Sequence, residues 1–361
     1  MSTSASRPRS LATGALAGAL LLAVTGLAAP TAAAAARPHH VQRVSTAADG
    51  TQADKASGPA ALTANGRFVA FRSAATNLVP EPGHGAESQS YVRDLRTGAV
   101  SRVDEALSVP SLSAGGRWAA TIGWGGHDIG VFLTDRATGT RTKIDGAGFR
   151  ESAYQPSISA DGRFVAFQFV PYHPSIPTRV DVYDRITGGH ETVSDGPQDA
   201  PARDMSHPSI SADGRLVAYQ DDGAGEVWVA DRRTGRHTRV DDGARSGLVQ
   251  LSADGRTVAM SSADGAYARD LRTGRVQRFP KATARAVSPD GRRLLYADAR
   301  AALRIRDLRT GADRVVVAAS EAAGAGAGAL SERSLVFSSA APDLVPGDTN
   351  GVADVFVSHP R

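Results

Sequence analysis

The stretch ISADGRFVAF, at residues 158–167, decides the fold because it recurs along the chain. A close copy, ISADGRLVAY, occupies residues 210–219, and looser copies begin at residues 62, 112, 251 and 287. A seventh copy, LSERSLVF at residues 330–337, is two residues shorter at its turn. Such self-similarity indicates a repeat architecture in which each unit packs against its neighbours.

A second phrase, Asp-x-x-Thr-Gly, follows each of the first six copies after a run of alternating apolar residues. It begins at Asp94, Asp135, Asp184, Asp231, Asp270 and Asp307. Asp-Gly between two apolar runs predicts a hairpin because both residues tolerate positive φ. In Asp-x-x-Thr-Gly the Asp side chain can accept backbone hydrogen bonds while Gly takes the left-handed conformation. Each unit is therefore predicted to contain four antiparallel strands, A to D, joined by two tight hairpins.

The two ends of the repeat region have complementary defects. The seventh unit has no strand D after its strand C at residues 354–357, whereas VQRVS at residues 41–45 reads as a strand D with nothing before it. Residues 41–358 give about 45 residues per unit, the size of a WD-type propeller blade. The prediction is an all-β, seven-bladed β-propeller of four-stranded antiparallel blades, the last closed by the N-terminal strand. An open solenoid and two smaller β domains are the alternatives.

Residues 1–36 have the order of a secretory signal peptide, with Arg7 and Arg9 before an uncharged stretch and an alanine run. An uncleaved membrane anchor is the alternative. A single propeller domain is predicted over residues 37–361, and the chain is expected to be secreted or associated with the cell wall. The predicted blades span 59–104, 109–145, 155–194, 207–241, 248–280, 284–317 and 327–358, with 41–45 added to the last.

Composition excludes several classes of function. The chain has no Cys, so it has no disulfide framework, thiolate metal site or thiol nucleophile. Its arginines are spread along the sequence beside aspartates, which argues against a nucleic-acid-binding stripe or a polybasic membrane patch. No second apolar segment of spanning length follows residue 36, and the mature chain is expected to be a monomer without an integral membrane segment.

The repeat resembles the TolB-like, WD40-like propeller family over nearly all of the mature chain. The phrases DLVPGDTNGVADVFV at residues 343–357 and ATNLVP at 75–80 resemble the variant found in exported actinobacterial-type proteins. The resemblance implies the fold but no single function, because the family includes accessory proteins, partner-binding modules and the propeller halves of enzymes. The sequence contains no G-x-S-x-G elbow, so the serine peptidase activity of some of these proteins is not expected in this chain.

The strands A should line the central channel, and they carry only two ionisable residues, His207 and Arg285. Two such groups on different blades make neither a metal cage nor a carboxylate pair, so no catalytic residue and no cofactor is predicted, and His207 is interpreted as a surface residue. Asp348, Asn350 and Asp354 have part of the spacing of a weak calcium loop but lack a bidentate Glu, and a plain B–C turn is the favoured alternative.

Loop lengths separate the two predicted faces of the ring. The A–B and C–D turns are short and uniform, whereas the B–C loops and D–A connectors vary, with long segments at 73–90, 146–154 and 168–179. Loops on a rigid scaffold concentrate binding residues. The binding candidates on this variable-loop face are Trp124, His127, Tyr154, Tyr172 and His173, with scattered surface residues as the alternative.

The arginine that follows each A–B turn is expected either to form ion pairs between blades or to lie on a solvated rim. These arginines are Arg67, Arg117, Arg163, Arg215, Arg256 and Arg292. Together these features favour an exported scaffold, without enzyme activity, that binds a protein, peptide or glycan. The alternatives are a propeller enzyme (lyase, lactonase or glycan-active) that uses the central channel, and an accessory factor in export or envelope assembly.

Overall fold

The computed structural model describes residues 40–81, 88–146, 148, 150–194, 203–321 and 324–359. The predicted signal peptide lies outside these residues and stays a prediction. Within them the chain forms 27 strands and one short 3-10 helix, Ala319–Glu321. None of the helices in these ranges is long and apolar enough to cross a membrane.

The first strand, β1 (His40–Arg43), precedes blade 1, and three complete blades follow it. Blade 1 contains β2 (Ser57–Leu62), β3 (Phe68–Ser73), β4 (Gln89–Asp94) and β5 (Val100–Val103). Blade 2 contains β6 (Ser111–Leu112), β7 (Trp118–Trp124), β8 (Ile129–Asp135) and β9 (Thr140–Lys143). Blade 3 contains β10 (Ser152–Ile158), β11 (Phe164–Val170), β12 (Arg179–Asp184) and β13 (His190–Thr192).

The remaining strands form blades 4 to 7. Blade 4 contains β14 (Met205–Ile210), β15 (Leu216–Asp221), β16 (Glu226–Asp231) and β17 (Arg236–Arg239). Blade 5 contains β18 (Ser246–Leu251), β19 (Thr257–Ser262), β20 (Gly265–Asp270) and β21 (Val276–Pro280). Blade 6 contains β22 (Thr283–Val287), β23 (Arg293–Ala297), β24 (Leu303–Asp307) and β25 (Asp313–Val317). Blade 7 contains β26 (Leu335–Ser339) and β27 (Asp354–His359).

Six sheets are four-stranded antiparallel meanders in chain order, and the seventh has the order β1-β27-β26. The structure therefore confirms the all-β, seven-bladed propeller. Blade 7 differs from its prediction in one detail: its inner position, predicted as a strand over 327–331, holds only the isolated bridges Gly324↔Ser338 and Leu330↔Leu335. The Gly-Ala run in this segment explains the difference, because glycine has little tendency to form a regular strand.

The N-terminal strand closes the ring as predicted. Strand β1 pairs antiparallel with β27, from His40↔His359 to Arg43↔Phe356. Closure continues in the next residue, because the Val44 N–H donates to the carbonyl of Val355 at 2.7 Å. One buried cluster joins residues of blades 1, 6 and 7, including Phe71, Leu295 and Phe356. The last blade therefore packs into the ring on both sides.

Ser45 identifies the N-terminal segment as a true strand D of the repeat. Its hydroxyl accepts a hydrogen bond from the backbone N–H of Val355 at 3.0 Å and donates to Asp354 Oδ1 at 2.5 Å. In blades 2 and 4 the second residue after strand D likewise accepts a backbone N–H of strand C: Asp145 accepts from Val131 N at 2.6 Å, and Asp241 accepts from Val227 N at 3.0 Å. This repeat position was not recognised in the sequence.

A latch of charged groups holds the N-terminal strand in place. Arg43 Nη2 lies 3.2 Å from Asp348 Oδ2, and Arg43 Nε lies 3.3 Å from Asp354 Oδ2. The two carboxylates are 4% and 0% exposed, so both ion pairs are screened from water. Removing one member of a buried pair leaves the other charge uncompensated, which typically costs about 3 to 5 kcal/mol.

The A–B turn follows the prediction with one correction. Only the glycine of Asp-Gly adopts positive φ, for example Gly162 at 72°, whereas Asp161 is not among the positive-φ residues of the described chain. Asp161 instead holds the turn with its side chain, which accepts from Ser159 Oγ at 2.6 Å and from the Arg163 N–H at 2.9 Å. The aspartate is thus selected for its carboxylate and the glycine for its conformation.

The same glycines make the blade junctions. A Cβ on Gly162 of blade 3 would lie closer than 3.0 Å to the ring of Trp118 in blade 2, and Gly214 meets Phe164 in the same way. Trp118 is also stacked by two guanidinium groups, Arg117 at 5.2 Å and Arg185 of the next blade at 4.2 Å from the ring centroid. Glycine therefore has two roles at these junctions: it adopts the positive φ of the turn, and its missing side chain leaves space for an aromatic ring.

The arginines after the A–B turns pair within their own blade, so the expectation of ion pairs between blades is wrong. In blades 1 to 4 each arginine reaches the aspartate of its own C–D turn, as Arg163 Nη2 does to Asp184 Oδ2 at 2.8 Å. Strands B and C are antiparallel, so the start of strand B lies beside the end of strand C. The A–B turn and the C–D turn of one blade are therefore neighbours. The hydrogen bond from Arg163 lowers the pKa of Asp184 to about 2.

We predict that a chain starting at Thr46 melts roughly 10 °C below one starting at Arg37, because it loses the β1 ladder and the buried ion pairs of Arg43. Circular dichroism melting of the two chains measures the difference. Ser45→Ala in the longer chain should give a smaller loss of the same sign. Equal melting temperatures would show that closure does not depend on β1.

We also predict that Arg163→Gln returns the pKa of Asp184 from about 2 toward its ordinary value of 3.8. Asp231, whose pKa of about 2 depends on Arg215, is the internal control and should not move. Because these folded-state pKa values are depressed, the pairs stabilise the fold above about pH 4 and lose this effect as the pH falls toward about 2.

Carboxyl ¹³C chemical shifts followed from pH 5 downward measure both groups. The loss of stability at neutral pH should stay below about 1 kcal/mol, because Arg163 is 42% exposed and solvent screens the pair. A depressed Asp184 pKa that survives the substitution would show that the backbone of the turn, and not the guanidinium, is responsible.

Candidate functional site

The centre of the ring holds a cavity of about 320 Å³ between the inner strands. Its walls are small apolar and hydroxyl side chains, among them Pro156, Ser157 and Ile210, together with Gln250. Within the part of the chain that the structure describes, no ionisable side chain lines this cavity. His207 and Arg285, the two ionisable residues of the inner strands, lie outside the lining, which corrects their placement in the channel.

The polar groups of the channel are used to join neighbouring blades. Ser111, Ser157 and Ser209 occupy the same position in blades 2, 3 and 4, and each hydroxyl accepts a hydrogen bond from the inner strand of the next blade. The donors are the backbone N–H groups of Ile158, Ile210 and Leu251, at 3.3, 3.1 and 3.0 Å. An inner strand lies at the edge of its sheet, and these bonds give its backbone N–H groups a hydrogen-bond acceptor.

Gln250 of blade 5 likewise joins its blade to blades 6 and 7 by hydrogen bonds. Its Oε1 accepts from the N–H groups of Val287 and Gly328, both at 3.2 Å. The carbonyl of Gly328 in turn accepts from the Leu62 N–H of blade 1 at 2.8 Å. The hydroxyl and amide groups of the channel therefore hold the ring together, and none of them is arranged as an acid–base pair.

His207 lies at the start of an inner strand in an ordered hydrogen-bond network. It is exposed, as predicted, but its backbone has φ 53°, and Gln155 at the same position of blade 3 has φ 55°. Gln155 Oε1 accepts from the His207 N–H at 2.7 Å, and its Nε2 lies 3.4 Å from His207 Nε2. Positive φ in residues other than glycine is costly, so these contacts maintain a strained backbone.

The partners of His207 determine where its ring carries hydrogen. Ser206 Oγ donates to Asp222 Oδ1 at 2.7 Å, since an ionised carboxylate can only accept. With its single hydrogen used, Ser206 Oγ accepts from His207 Nδ1, also at 2.7 Å. The neutral imidazole therefore carries its hydrogen on Nδ1 and presents Nε2 as an acceptor toward the Gln155 amide.

The most exposed aromatic side chains of the variable-loop face lie on blades 2 and 3. Trp124, at the end of β7, is 62% exposed, and Tyr172, on the B–C loop of blade 3, is 57% exposed. Ile176 on the same loop is 52% exposed. Exposed apolar side chains grouped in this way on loops are typical of contact surfaces. We call Trp124, Tyr172 and Ile176, with Arg150 and Asp128, the blade 2–3 patch.

Arg150 connects the two loops of this patch. Its Nη1 donates to the Tyr172 hydroxyl at 2.7 Å, with the guanidinium carbon 5.2 Å from the ring centroid. Its backbone N–H, at a residue with φ 66°, donates to Asp128 Oδ2 at 2.6 Å. The sequence pattern did not identify Arg150 and Asp128, although Arg150 lies in the long connector at residues 146–154.

The other predicted binding residues are placed differently. Tyr154 lies within β10 and is half-buried, whereas His127 is exposed in the B–C turn of blade 2. His173 is exposed, and its Nδ1 lies 2.7 Å from Ser175 Oγ of its own loop. The structure thus brings Tyr172 into contact with Arg150, and the binding role of all five candidates stays a prediction.

The predicted calcium loop contributes to the N-terminal latch. Asp348 and Asp354 both pair with Arg43, and Gln52 Nε2 donates to Asp348 Oδ1 at 2.9 Å and to Asp354 Oδ2 at 3.2 Å. Asn350 Nδ2 donates to the same Asp354 oxygen at 3.1 Å. These donors compensate both carboxylates from within the chain, which supports the interpretation as a turn; calcium at this loop stays a prediction. No cluster of three metal-ligating side chains occurs within the described ranges.

No protein-family profile and no curated protein sequence matches the chain. Its fold is similar to that of an oligogalacturonate lyase in complex with manganese, with a TM-score of 0.61 and 14% identity over 89% of this chain and 93% of that one. A structure of prolyl endopeptidases gives a TM-score of 0.55 and 13% identity over 89% of this chain and 51% of that one. TolB from Acinetobacter baumannii gives 0.46 and 18%, over 74% and 80%. At these identities the similarity establishes the propeller fold alone.

Proposed function

We propose that this chain is an exported, TolB-like propeller that acts as a binding scaffold, and that its variable-loop face binds a protein, peptide or glycan. The observation that carries the proposal is the blade 2–3 patch. Trp124, Tyr172 and Ile176 are three of the five large apolar side chains found strongly exposed in the described chain, and all three lie on neighbouring loops. Exposing them to water has a cost that a bound partner would remove.

The chemistry of the patch suits an extended partner with both apolar and polar groups. Tyr and Trp side chains provide large contact areas with few rotatable bonds, and they are frequent at the centres of interfaces. Arg150 holds Tyr172 through a hydrogen bond and a cation–π contact, so this ring is already ordered before binding. Preorganisation of this kind reduces the entropic cost of association.

Export and the resemblance to actinobacterial-type proteins form part of the same proposal. They rest on the order of charges and apolar residues in positions 1–36 and on the DLVPGDTNGVADVFV phrase. A secreted scaffold without Cys would depend on packing and hydrogen bonds for its stability, which agrees with the closed ring of ladders and latches. A role as an accessory factor in export or envelope assembly fits the same surface, with a protein as the partner.

Catalysis by a propeller enzyme is the second candidate, and the His207 network is the observation that favours it. The imidazole is exposed, its tautomer is set by Ser206, and its backbone is strained. Strained, bulged backbone is frequent next to active sites. A second acid or base beside Nε2 is missing among the described residues around it, since the neighbour there is the Gln155 amide.

We predict that the double substitution Trp124→Ala and Tyr172→Ala weakens binding to the captured partner at least about tenfold, because central aromatic residues dominate interface energies. The mature chain is immobilised, exposed to medium and wall extract of the native culture, and the retained species are identified by mass spectrometry. Affinity is then measured for the variants. Ile186→Ala is the matched control, since Ile186 is 63% exposed but lies in the C–D turn of blade 3, on the opposite face.

Unchanged affinity in the double variant, or an equal loss in Ile186→Ala, would contradict a role for the patch. The same assay separates the two candidate functions. A partner recovered intact agrees with a scaffold, whereas a cleaved partner whose cleavage disappears in His207→Asn supports an enzyme. Asparagine is chosen because it tolerates the positive φ of this position better than most residues.

A further inference from the structure

The short-turn face carries a groove between blades 5 and 6 whose lining is rich in arginine. Its volume is about 390 Å³, and its floor is formed by Thr257, Ala268 and Leu308. Five arginines and two aspartates surround this floor. The arginines are Arg256, Arg272, Arg275, Arg292 and Arg309. A net charge of +3 is therefore concentrated on one small concave surface.

Two of these arginines, Arg256 and Arg292, lack the ion pair with the C–D turn aspartate that their counterparts make in blades 1 to 4. Arg215 of blade 4 lies 2.5 Å from the aspartate of its C–D turn, as its counterparts do in blades 1 to 3. Arg256 and Arg292 do not make this bond; each lies only within 3.6 and 3.9 Å, respectively, of an aspartate of its own A–B turn. Both side chains are 66% exposed.

The aspartates of blades 5 and 6 have turned toward their own backbone. Asp270 Oδ1 accepts from the N–H groups of Arg272 and Thr273, at 2.9 and 2.8 Å. Asp307 does the same with the two equivalent N–H groups of its turn. In the described parts of blades 1 to 4 the corresponding carboxylate receives one such backbone bond. Both of its oxygens accept from the arginine, as Asp184 Oδ1 and Oδ2 accept from Arg163 Nε and Nη2. The arginines of blades 5 and 6 are left available to an anion from outside.

The equivalent groove between blades 2 and 3 provides an internal comparison. It has about 340 Å³ and is built from the same repeat positions, but Thr140 and Thr142 stand where blade 5 has Arg275 and Gln277. Its floor is filled by Trp118, on which Arg185 stacks at 4.2 Å. One arginine and one aspartate leave that groove neutral. The basic groove thus differs in charge from the groove at the same repeat positions between blades 2 and 3.

We propose that the groove between blades 5 and 6 binds an acidic sugar residue of a glycan, independently of the blade 2–3 patch. Guanidinium groups match carboxylate and phosphate oxygens through paired hydrogen bonds, and their permanent charge makes the site insensitive to pH in the neutral range. A floor of threonine, alanine and leucine gives an apolar surface for the face of a sugar ring. The volume suits a ligand of one or two rings.

A nucleic acid is the less favoured polyanion. Among the described residues that line the groove, no aromatic side chain is present on which a base could stack. The acidic group of the sugar, in contrast, needs only one charged pocket. Carboxylate and phosphate share this chemistry, so both are tested.

The experiment follows the Arg Nε–Hε NMR signals of the full mature chain during titration with glucuronate, glucose 6-phosphate, glucose, inorganic phosphate and a short oligothymidylate at constant ionic strength. Glucuronate or glucose 6-phosphate should shift signals of Arg272 and Arg275, and the tighter of the two identifies the acidic group. Glucose should cause no shift, and inorganic phosphate should bind at least about fivefold more weakly than the preferred sugar.

Arg272→Gln with Arg275→Gln should weaken binding of the preferred sugar at least about tenfold. The matched control is Arg233→Gln with Arg236→Gln, which removes the same charge from the same turn positions of blade 4. The control variant should bind like the wild type. Equal weakening in both variants would reduce the effect to net charge and overturn the site. Equal binding of glucose or of inorganic phosphate, or tighter binding of the oligothymidylate at these arginines, would overturn the assignment to an acidic sugar.

Discussion

Closure of the ring is the constraint on which the rest of the structure depends. The buried residues of a blade belong to clusters shared with neighbouring blades, as Val131 of blade 2 and Phe167 of blade 3 belong to one cluster. Every blade therefore needs a neighbouring blade on each side, and β1 completes blade 7 by pairing with β27. Arg43 secures this strand by an ion pair with Asp354, and Ser45 does so by a hydrogen bond to the same carboxylate, which converts a backbone pairing into a specific latch.

The junctions show how few residues of the repeat hold the ring. The turn glycine leaves room for the first side chain of strand B in the preceding blade, and arginine stacks on that side chain where it is aromatic, as in Trp118 with Arg185. Where this side chain is Thr257, the residue that follows the C–D aspartate is Leu308, and the groove stays open. The same repeat position thus holds a tryptophan ring covered by an arginine in one groove and a threonine in the other.

The two faces and the channel have separate uses. Hydroxyl and amide groups inside the channel satisfy the inner strands, as Ser157 does for Ile210, and so contribute to stability. The variable loops carry exposed aromatic residues with Arg150 between them, and the short turns carry mostly paired charges. Because the ring is rigid, changes in these loops and turns can alter a contact surface without altering the fold.

The sequence alone determined the repeat, the number of blades and the strand that closes the ring, because hairpin signals and alternating apolar residues are local and recur along the chain. It also indicated which loops vary. Only the tertiary structure decided the partners of the charged residues: Arg163 pairs within its blade, Asp354 binds the N-terminal segment, and Arg256 is released toward a groove. The choice among these partners depends on how strands and blades pack and on which carboxylate turns toward its own backbone.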